Sequence, residues 1–281
     1  MKVIRDPQKL NSALKRNKQS KSIGFVPTMG ALHAGHLSLI RQAVKDNNLV
    51  VVSIFVNPAQ FGPKEDLKKY PRPLKKDIGF CRKLGVDFIF LPDNKIIYPQ
   101  GYSTFVNVEG LSSVLCAVSR PGHFRAVATV VAKLLNIVQP DVLYLGQKDA
   151  QQAIIIARMI KDLNFPVKVR VMPTLRENDG LALSSRNIYL NKDERAQATV
   201  LSKALFLAKA LVDHGQRNAV VIISRMKQLI LKNKPVKIDY ITIVDLKRLM
   251  PLKKIKQSCL VALALRIGKT RLIDNIIINY A

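Results

Sequence analysis

Two histidines, His33 and His36, lie where an apolar segment gives way to a helical pattern of apolar residues. Their spacing predicts that both imidazoles share one helix face, about one turn apart. Unpaired N–H groups at a helix start add partial positive charge, and Gly30 and Gly35 would let a phosphate chain approach the backbone closely. The pattern predicts a nucleotide phosphate site. The alternative is that the two histidines only cap or pack the helix.

A second candidate segment, Gly146-Gln147-Lys148-Asp149, separates an apolar strand pattern from a helical one. This places Lys148 at the end of a strand, where ligands bind in parallel sheets. Asp149 could cap the helix, or bind a ribose hydroxyl or a hydrated metal. The alternative for Lys148 is an ordinary surface lysine among the 46 basic residues.

Two glutamines, Gln60 and Gln152, follow predicted strands. An amide both donates and accepts hydrogen bonds, so a pair on converging loops suits a small polyol or hydroxy acid. A further segment, Arg176 to Asn187, has a glycine-containing turn followed by Ser-Ser-Arg, a good shape for phosphate oxygens. Its alternative is a helix cap followed by an isolated arginine.

Two other phosphate motifs are excluded. Gly268-Lys269-Thr270 resembles the end of a Walker A loop, but Leu263 stands where that motif requires glycine. No Gly-x-Gly-x-x-Gly follows the first predicted strand, which argues against a dinucleotide-binding dehydrogenase.

Strands alternating with helices over residues 22–172 predict an α/β fold with a parallel sheet covered on both faces. The carboxyl ends of parallel strands meet at one edge, so the candidate segments should gather there. The predicted strands are Ser22–Val26, Leu49–Val56, Val86–Leu91, Val142–Leu145 and Val167–Met172, and the predicted helices are Leu74–Leu84, Val127–Val138 and one ending near Ile160.

The flanking regions have different patterns. Residues 2–20 are amphipathic with helical spacing, and Thr104–Val108 alternates like a short strand. Beyond residue 175, Asn191 and Glu194 have capping-box spacing and start a helix that ends near Gly215. A helix over Ala219–Leu231 and strands at Ile238–Val244, Cys259–Leu265 and Arg271–Ile278 complete the prediction. We therefore expect two domains, residues 1–175 and 176–281, the second a smaller α+β unit.

Composition limits the class of protein. The 281 residues are 48% hydrophobic, and no apolar run is long enough for a membrane span. The start turns polar at once, unlike a secretory signal, and the three cysteines are scattered, so we expect a reducing, cytoplasmic location. The net charge of +27 favours anionic substrates and loose, salt-sensitive nucleic-acid binding, or reflects only solubility.

The His-Ala-Gly-His element resembles the "HIGH" motif of nucleotidyltransferases and class I aminoacyl-tRNA synthetases, and Ser-Ser-Arg resembles their mobile "KMSKS" loop. The full set of segments is similar to the pantothenate synthetase (pantoate–β-alanine ligase) family over nearly the whole chain. These segments are Val26–His36, Phe55–Phe61, Arg120–Phe124, Asn136–Asp141, Asp179–Asn187 and Thr270–Asn275.

The resemblance implies a Rossmann-like adenylylation domain with a smaller lid domain, usually as a homodimer. The implied reaction has two steps. The carboxylate of pantoate attacks the α-phosphorus of Mg-ATP, and pyrophosphate leaves. The amine of β-alanine then attacks the bound pantoyl-adenylate, giving pantothenate and AMP. Mg²⁺ would arrive with ATP rather than at a protein metal site, and no tightly bound organic cofactor, specific nucleic acid or membrane is expected.

The same resemblance assigns roles residue by residue. His33, His36 and Lys148 would be catalytic, with His36 the acid that assists the leaving group. Gln60 and Gln152 would bind pantoate, and Gln60 would also face β-alanine. The implied ATP-binding residues are Met29, Gly30, Ala31, Leu32, His33, Ala34, Gly35, His36, Gly146, Gln147, Lys148, Asp149, Leu175, Leu183, Ser184, Ser185 and Arg186.

Ala117, Ala126 and Ala150 depart from residues common in that family, which puts substrate affinity in question more than activity. Two rival functions follow from the residues. One is another nucleotidyltransferase, which the two glutamines and the Arg-Pro-Gly-His-Phe segment argue against. The other is a nucleic-acid-binding synthetase relative, for which 6% aromatic residues and the lack of tryptophan are unfavourable.

Overall fold

The computed structural model describes residues 1–18, 21–63, 65–232 and 236–280. They form two compact units whose segments interleave along the chain. The first unit comprises Met1–Ser112, Arg120–Gly146 and Ile155–Pro173, and the second comprises Ser113–Ser119, Gln147–Ile154 and Thr174–Ala281. The domain boundary between residues 175 and 176 stays a prediction, and a single boundary does not describe this interleaving.

The first unit is built on a parallel sheet of six strands in the order β1-β4-β3-β2-β5-β6. This confirms the predicted α/β, Rossmann-like fold class. The strands are β1 (Lys2–Ile4), β2 (Ile23–Thr28), β3 (Leu49–Ile54), β4 (Phe88–Phe90), β5 (Val142–Gly146) and β6 (Lys168–Met172).

Seven helices precede residue 173 in the described part of the chain. They are α1 (Pro7–Lys18), α2 (Ala34–Asp46), α3 (Leu74–Lys83), α4 (Asn94–Ile97), α5 (Cys116–Ser119), α6 (His123–Val138) and α7 (Ala150–Asp162). Of these, α5 belongs to the second unit, and α7 passes from the second unit into the first at Ile155.

Both faces of the central strands β2 and β3 are buried, as their apolar patterns predicted. On one face, Val26 and Val52 pack in a cluster with Ile40 and Ala43 of α2. Phe25 of β2 points to the opposite face and is also fully buried, and α6 contacts β2. This packing holds α2 against the central strands.

The strand order reverses between β2 and β5. From β2 the chain proceeds to β3 and β4 on one side, whereas β5 and β6 extend the sheet on the other. Ligands of open α/β sheets bind at the carboxyl ends of the strands at such a point. The carboxyl ends of these two strands are Thr28, which leads into the His33 segment, and Gly146.

The second unit has an antiparallel sheet in the order β7-β8-β9. Its elements are α8 (Lys192–Ala198), α9 (Val200–Asp213), α10 (Ala219–Leu231), β7 (Val236–Asp245), β8 (Cys259–Ile267) and β9 (Thr270–Ile278). Leu205 of α9 and Met226 of α10 share a core cluster with Val261 and Leu263 of β8. The α+β character and the helix over Ala219–Leu231 are confirmed.

The predicted strand at Thr104–Val108 is wrong, because this segment is irregular. The Val106 N–H donates to Thr129 Oγ1 at 2.9 Å instead of to a neighbouring strand. The Phe105 ring lies 3.8 Å from the guanidinium carbon of Arg125. Side chains of α6 therefore take the contacts that a strand partner would supply.

Two helix predictions need correction. The amphipathic opening at residues 2–20 contains β1 before α1, and its last two residues lie outside the described ranges. The single helix expected from Asn191 to Gly215 is two helices that meet at Thr199. The Thr199 hydroxyl donates to Ala196 O at 2.9 Å, a local hydrogen bond that competes with the helical ladder. The predicted capping box of Asn191 and Glu194 is confirmed.

Candidate active site

The two histidines form a capping box at the start of α2. The backbone N–H of Gly35 donates to His33 Nδ1 at 3.2 Å, and the backbone N–H of His33 donates to His36 Nδ1 at 3.4 Å. The ring centroids are 4.1 Å apart. Because each Nδ1 accepts a hydrogen bond, the neutral rings carry their proton on Nε2. The histidines therefore cap the helix through Nδ1.

The loop between β2 and α2 has an unusual backbone. Gly30 has φ +79° and Ala31 has φ +51°, both in the left-handed region. A Cβ at Gly30 would lie 3.0 Å from Ile54 Cγ2, so the loop also lacks room for a side chain there. The positive φ favours glycine at this position, and the close approach of Ile54 adds to that preference.

Asp77 of α3 holds this loop from one side. Its carboxylate accepts the backbone N–H of Ala31 at 2.8 Å and that of Leu32 at 2.9 Å. Asp77 is 1% exposed, and burial raises the pKa of its carboxyl above the usual value, against the two backbone hydrogen bonds. These two N–H groups of the loop before α2 are therefore engaged within the protein.

Gln60 lies in a short helical turn, Pro58–Gln60, that follows β3. Its side-chain Nε2 donates to Met29 Sδ at 3.0 Å, and its Oε1 accepts from Asn57 Nδ2 at 3.2 Å. Asn57 is buried and its Oδ1 accepts the Tyr98 hydroxyl at 2.9 Å. Burial raises the pKa of Tyr98 to about 12, so the phenol stays a donor. This chain of hydrogen bonds orients the Gln60 amide.

The backbone of Gln60 is held by the Arg-Pro-Gly-His-Phe segment. Its carbonyl accepts Arg120 Nη2 at 3.2 Å and lies 2.9 Å from His123 Nδ1. Arg120 Nε also donates to Glu65 Oε1 at 2.6 Å. The first unit thus brings Met29, Gln60 and this segment together, in line with the predicted grouping of the loops after β2 and β3.

In the second unit, Gln147–Asp149 forms one helical turn that leads into α7. Lys148 Nζ lies 3.7 Å from Asp149 Oδ1, and the lysine side chain is 20% exposed. The side-chain amide of Asn275 in β9 donates to the carbonyls of Gln147 at 3.0 Å and Lys148 at 2.8 Å. The turn that carries the predicted cationic residue is therefore fixed by a side chain distant in sequence.

The glutamines at the start of α7 have different surroundings. Gln151 is buried, and its amide donates to Val114 O at 2.7 Å and accepts the Cys116 N–H at 3.1 Å. This amide ties the Ser113–Ser119 segment to the second unit. Gln152, the predicted substrate ligand, is half-buried.

The last predicted segment, Leu175 to Arg186, is a hairpin followed by a short helical turn. Leu183 N–H donates to Leu175 O at 3.0 Å, and Arg176 forms a β-bridge with Ala182. Ser184 caps the turn by accepting the Arg186 N–H at 3.2 Å. The Ser184 hydroxyl therefore takes part in the local structure of this turn.

The structure assigns the predicted residues to both compact units. Met29 to His36, Gln60 and Gly146 belong to the first, whereas Gln147 to Asp149, Gln152 and the Leu175–Arg186 segment belong to the second. The three alanines at unusual positions, Ala117, Ala126 and Ala150, are all buried.

Sequence reasoning missed three residues that hold these segments: Asn57, Asp77 and Asn275. Asn57 and Asn275 lie inside the family motifs, so a signal for them was present. Asp77 is one of 19 acidic residues and has no motif of its own, so nothing in the sequence marked it.

The described residues contain no group of three or more His, Cys, Asp or Glu arranged to hold a metal ion. None of their helices is long and apolar enough to cross a bilayer.

The first unit offers two imidazoles at a helix start and an oriented amide in contact with Met29, and the second offers a lysine on a fixed turn. Such groups bind and neutralise anionic oxygens but supply no activated serine or cysteine nucleophile. Groups of this kind fit chemistry in which the substrates attack one another and the protein positions them.

Comparison with known proteins identifies the family. The family model described as pantoate-beta-alanine ligase matches residues 2–277. Pantothenate synthetase of Caldicellulosiruptor saccharolyticus is 52% identical over 265 residues, covering 94% of each chain. That of Thermosipho melanesiensis is 52% identical over 280 residues, covering 99% of this chain and 100% of the relative.

Solved structures agree. Pantothenate synthetase from Thermus thermophilus has a TM-score of 0.94 and 42% identity, covering 98% of this chain and 99% of its own. Pantoate-beta-alanine ligase from Francisella tularensis, in complex with beta-gamma ATP and beta-alanine, has a TM-score of 0.80 and 36% identity, covering 98% and 97%. On its sequence and its fold, the chain belongs to the pantoate–β-alanine ligase family.

Proposed function

We propose that this chain joins pantoate to β-alanine in an ATP-dependent reaction that passes through bound pantoyl-adenylate. The observation that carries the proposal is the histidine capping box at the carboxyl end of the central strand β2. Family membership supports the ligation itself, and the Francisella tularensis relative in complex with beta-gamma ATP and beta-alanine supports ATP as a substrate.

In the first step, a carboxylate oxygen of pantoate attacks the α-phosphorus of Mg-ATP and the bond to pyrophosphate breaks. His33 and His36 donate from Nε2 to phosphate oxygens, and His36 assists departure of the leaving group. Lys148 neutralises the charge that develops on the phosphates. Mg²⁺ enters with ATP as part of the substrate.

In the second step, the amine of β-alanine attacks the acyl carbon of pantoyl-adenylate. The acyl–phosphate bond breaks, AMP leaves, and the nitrogen loses a proton as the amide forms. Gln60 and Gln152 hold pantoate, and Gln60 also faces the amine. The orientation of the Gln60 amide by Asn57 supports its part of this role, because an oriented amide presents a fixed donor and acceptor.

The remaining ATP contacts are proposed on the same basis. Gly146 and Asp149 would meet the ribose, the backbone near Leu175 and Leu183 would hold the adenine, and Ser184, Ser185 and Arg186 would close over the phosphates. The homodimer and the cytoplasmic location stay predictions.

The test is AMP formation from Mg-ATP by the purified chain, with pantoate and β-alanine omitted in turn. We expect steady AMP formation only when both are present. If another acid or alcohol drives pyrophosphate release, the adenylylating site survives and the substrate assignment fails. If ATP is never consumed, the reaction is wrong, and salt-dependent RNA binding becomes the next measurement.

The site is tested with His36→Ala in a single-turnover assay of pyrophosphate release from ATP and pantoate. General-acid assistance is worth about 10²- to 10⁴-fold, so we expect a loss of that size. The matched control is His214→Ala, because this exposed histidine lies at the end of α9. Equal rates for the His36 variant and the wild type would remove the assignment of His36.

A further inference from the structure

Two adjacent residues of β9, Asp274 and Asn275, contact two different segments that carry proposed ATP ligands. Both are buried, with 2% and 4% of their surface exposed. Successive residues of a strand project to opposite faces of the sheet. One strand can therefore hold two segments, one through each face.

Asn275 holds the turn that carries Lys148. Its side-chain Nδ2 donates two hydrogen bonds to backbone carbonyls, those of Gln147 at 3.0 Å and Lys148 at 2.8 Å. The assignment of nitrogen and oxygen in this amide is unambiguous, because the reverse would place an acceptor against two acceptors. A turn whose carbonyls are fixed in this way presents its lysine side chain from a fixed backbone.

Asp274 holds the hairpin that leads to Ser184. Its two carboxylate oxygens accept Arg176 Nη1 at 2.6 Å and Nη2 at 3.0 Å, a bidentate pair. Arg176 Nη1 also donates to Gly180 O at 3.0 Å, across the hairpin. The Asp274 side chain is fully buried and that of Arg176 is 17% exposed, so water screens this pair little.

The two contacts are coupled through the strand itself. Asp274 Oδ1 also accepts the backbone N–H of Asn275 at 2.7 Å, so the carboxylate is locked to the residue that holds the Lys148 turn. A shift of either segment would have to move the same dipeptide.

We propose that Asp274 and Asn275 are positioning residues that set Lys148 and the Leu183–Arg186 segment at the spacing needed to bind the phosphates of ATP. The proposal rests on the proposed function, since it takes ATP as the ligand of both segments. In this proposal neither residue contacts ATP. Asn275 acts through Lys148, and Asp274 acts through the Leu183–Arg186 segment. Small misplacements of binding groups cost about 10²-fold in rate, so the expected effects are large.

The test is a double-mutant cycle on Asn275→Ala and Lys148→Ala, read as the dissociation constant of β,γ-methylene ATP by calorimetry. We expect Asn275→Ala to weaken binding about tenfold or more in the wild-type background and to change it little in the Lys148→Ala background. In steady state, the KM for ATP should rise while the KM for β-alanine stays unchanged.

Arg176→Lys tests the second contact, since lysine keeps the charge and loses the two-pronged hydrogen bond. It is chosen over Asp274→Asn because leaving one partner of a buried ion pair uncompensated can unfold the chain. Its binding of the same analogue should also weaken. The control is Asp213→Asn, which removes an exposed ion pair with Lys209 in the same unit and should leave all constants unchanged.

Additive effects of Asn275→Ala and Lys148→Ala would overturn the proposal, as would equal changes in the KM of every substrate. If the wild-type chain binds the analogue but forms no AMP, the proposed reaction is wrong. The double-mutant cycle on analogue binding then still decides whether Asn275 positions Lys148. A wild-type chain that does not bind the analogue would overturn both.

Discussion

At the scale of single residues, Asp77 illustrates how a buried carboxylate shapes a loop. Its oxygens accept two consecutive N–H groups from a segment in which Ala31 adopts a left-handed conformation. Such a conformation costs an alanine on the order of 1 kcal/mol, and the carboxylate offsets it by satisfying the N–H groups that this conformation turns inward. The histidine capping box begins only one residue after this contact.

We expect Asp77→Asn to destabilise the fold by about 2 kcal/mol, because the amide nitrogen would face a backbone N–H and leave one buried donor without an acceptor. Urea unfolding monitored by circular dichroism measures this change. The binding of β,γ-methylene ATP should weaken as well, since the loop orients His33.

The matched control is Asp93→Asn. Asp93 caps α4 by accepting the Ile96 N–H at 2.9 Å in an exposed position. Asparagine caps a helix as well as aspartate does, so this change should be nearly neutral. Equal losses of stability in the two variants would contradict the prediction, because the buried Asp77 contact would then contribute no more stability than the exposed cap at Asp93.

At the scale of elements, α8 is tied to the hairpin of the second unit by one arginine. Arg195 donates to Glu177 at 2.6 Å and to Asp179 at 2.7 Å. The hydrogen bond from Arg195 holds the pKa of Asp179 below its usual value. The pair thus contributes stability above the ordinary carboxyl pKa and loses it as the pH falls through the lowered pKa.

Arg195→Ala should therefore destabilise the chain at about pH 7, and its difference from wild type should be smaller at about pH 2, because this stability is lost as the pH falls below the ordinary carboxyl pKa and through the lowered pKa of Asp179. Unfolding free energies from urea titrations at the two pH values test this. Arg158→Ala, which removes a more exposed ion pair in α7, should give no comparable pH dependence. A pH-independent difference for Arg195→Ala would contradict the prediction.

The elements also show what the sequence could predict. Buried strands such as β3 were found because their apolar runs report burial on both faces, and the capping box of Asn191 was found because its spacing is local. The strand expected at Thr104–Val108 failed because its alternation matches contacts with Arg125 and Thr129 rather than a neighbouring strand. That difference depends on residues distant in sequence.

In the candidate site too, local features could be predicted from the sequence and distant contacts could not. The sequence showed the motif around His33 and His36, together with the alternative that these residues cap the helix. The structure shows the capping contacts through Nδ1, and phosphate binding by these residues stays a proposal. Contacts such as Asn275 to the Lys148 turn span 127 residues, so no local pattern could show them.

At the scale of the whole molecule, the net charge of +27 should act on the substrates unequally. Mg-ATP and pantoate are anions, whereas β-alanine is a zwitterion with no net charge. The Debye length falls from about 30 Å at 10 mM salt to about 8 Å at 150 mM, so attraction of the anions is screened over this range.

We expect kcat/KM for ATP to fall several-fold between about 10 and 150 mM NaCl, with little change in the KM for β-alanine. Initial rates with one substrate varied at a time measure both. A similar decline for β-alanine would instead indicate a general effect of salt on the fold or on catalysis.

The interleaving of the two compact units limits how this protein can be cut or recombined. The chain passes between them five times, at Ser112–Ser113, Ser119–Arg120, Gly146–Gln147, Ile154–Ile155 and Pro173–Thr174. A fragment ending at residue 173 would contain the whole first unit together with two orphan pieces of the second. No continuous segment of the chain encodes the second unit alone, so it cannot be synthesised or exchanged by gene fusion as a separate module. A recombination event that preserves both units must therefore transfer one coding sequence that spans them.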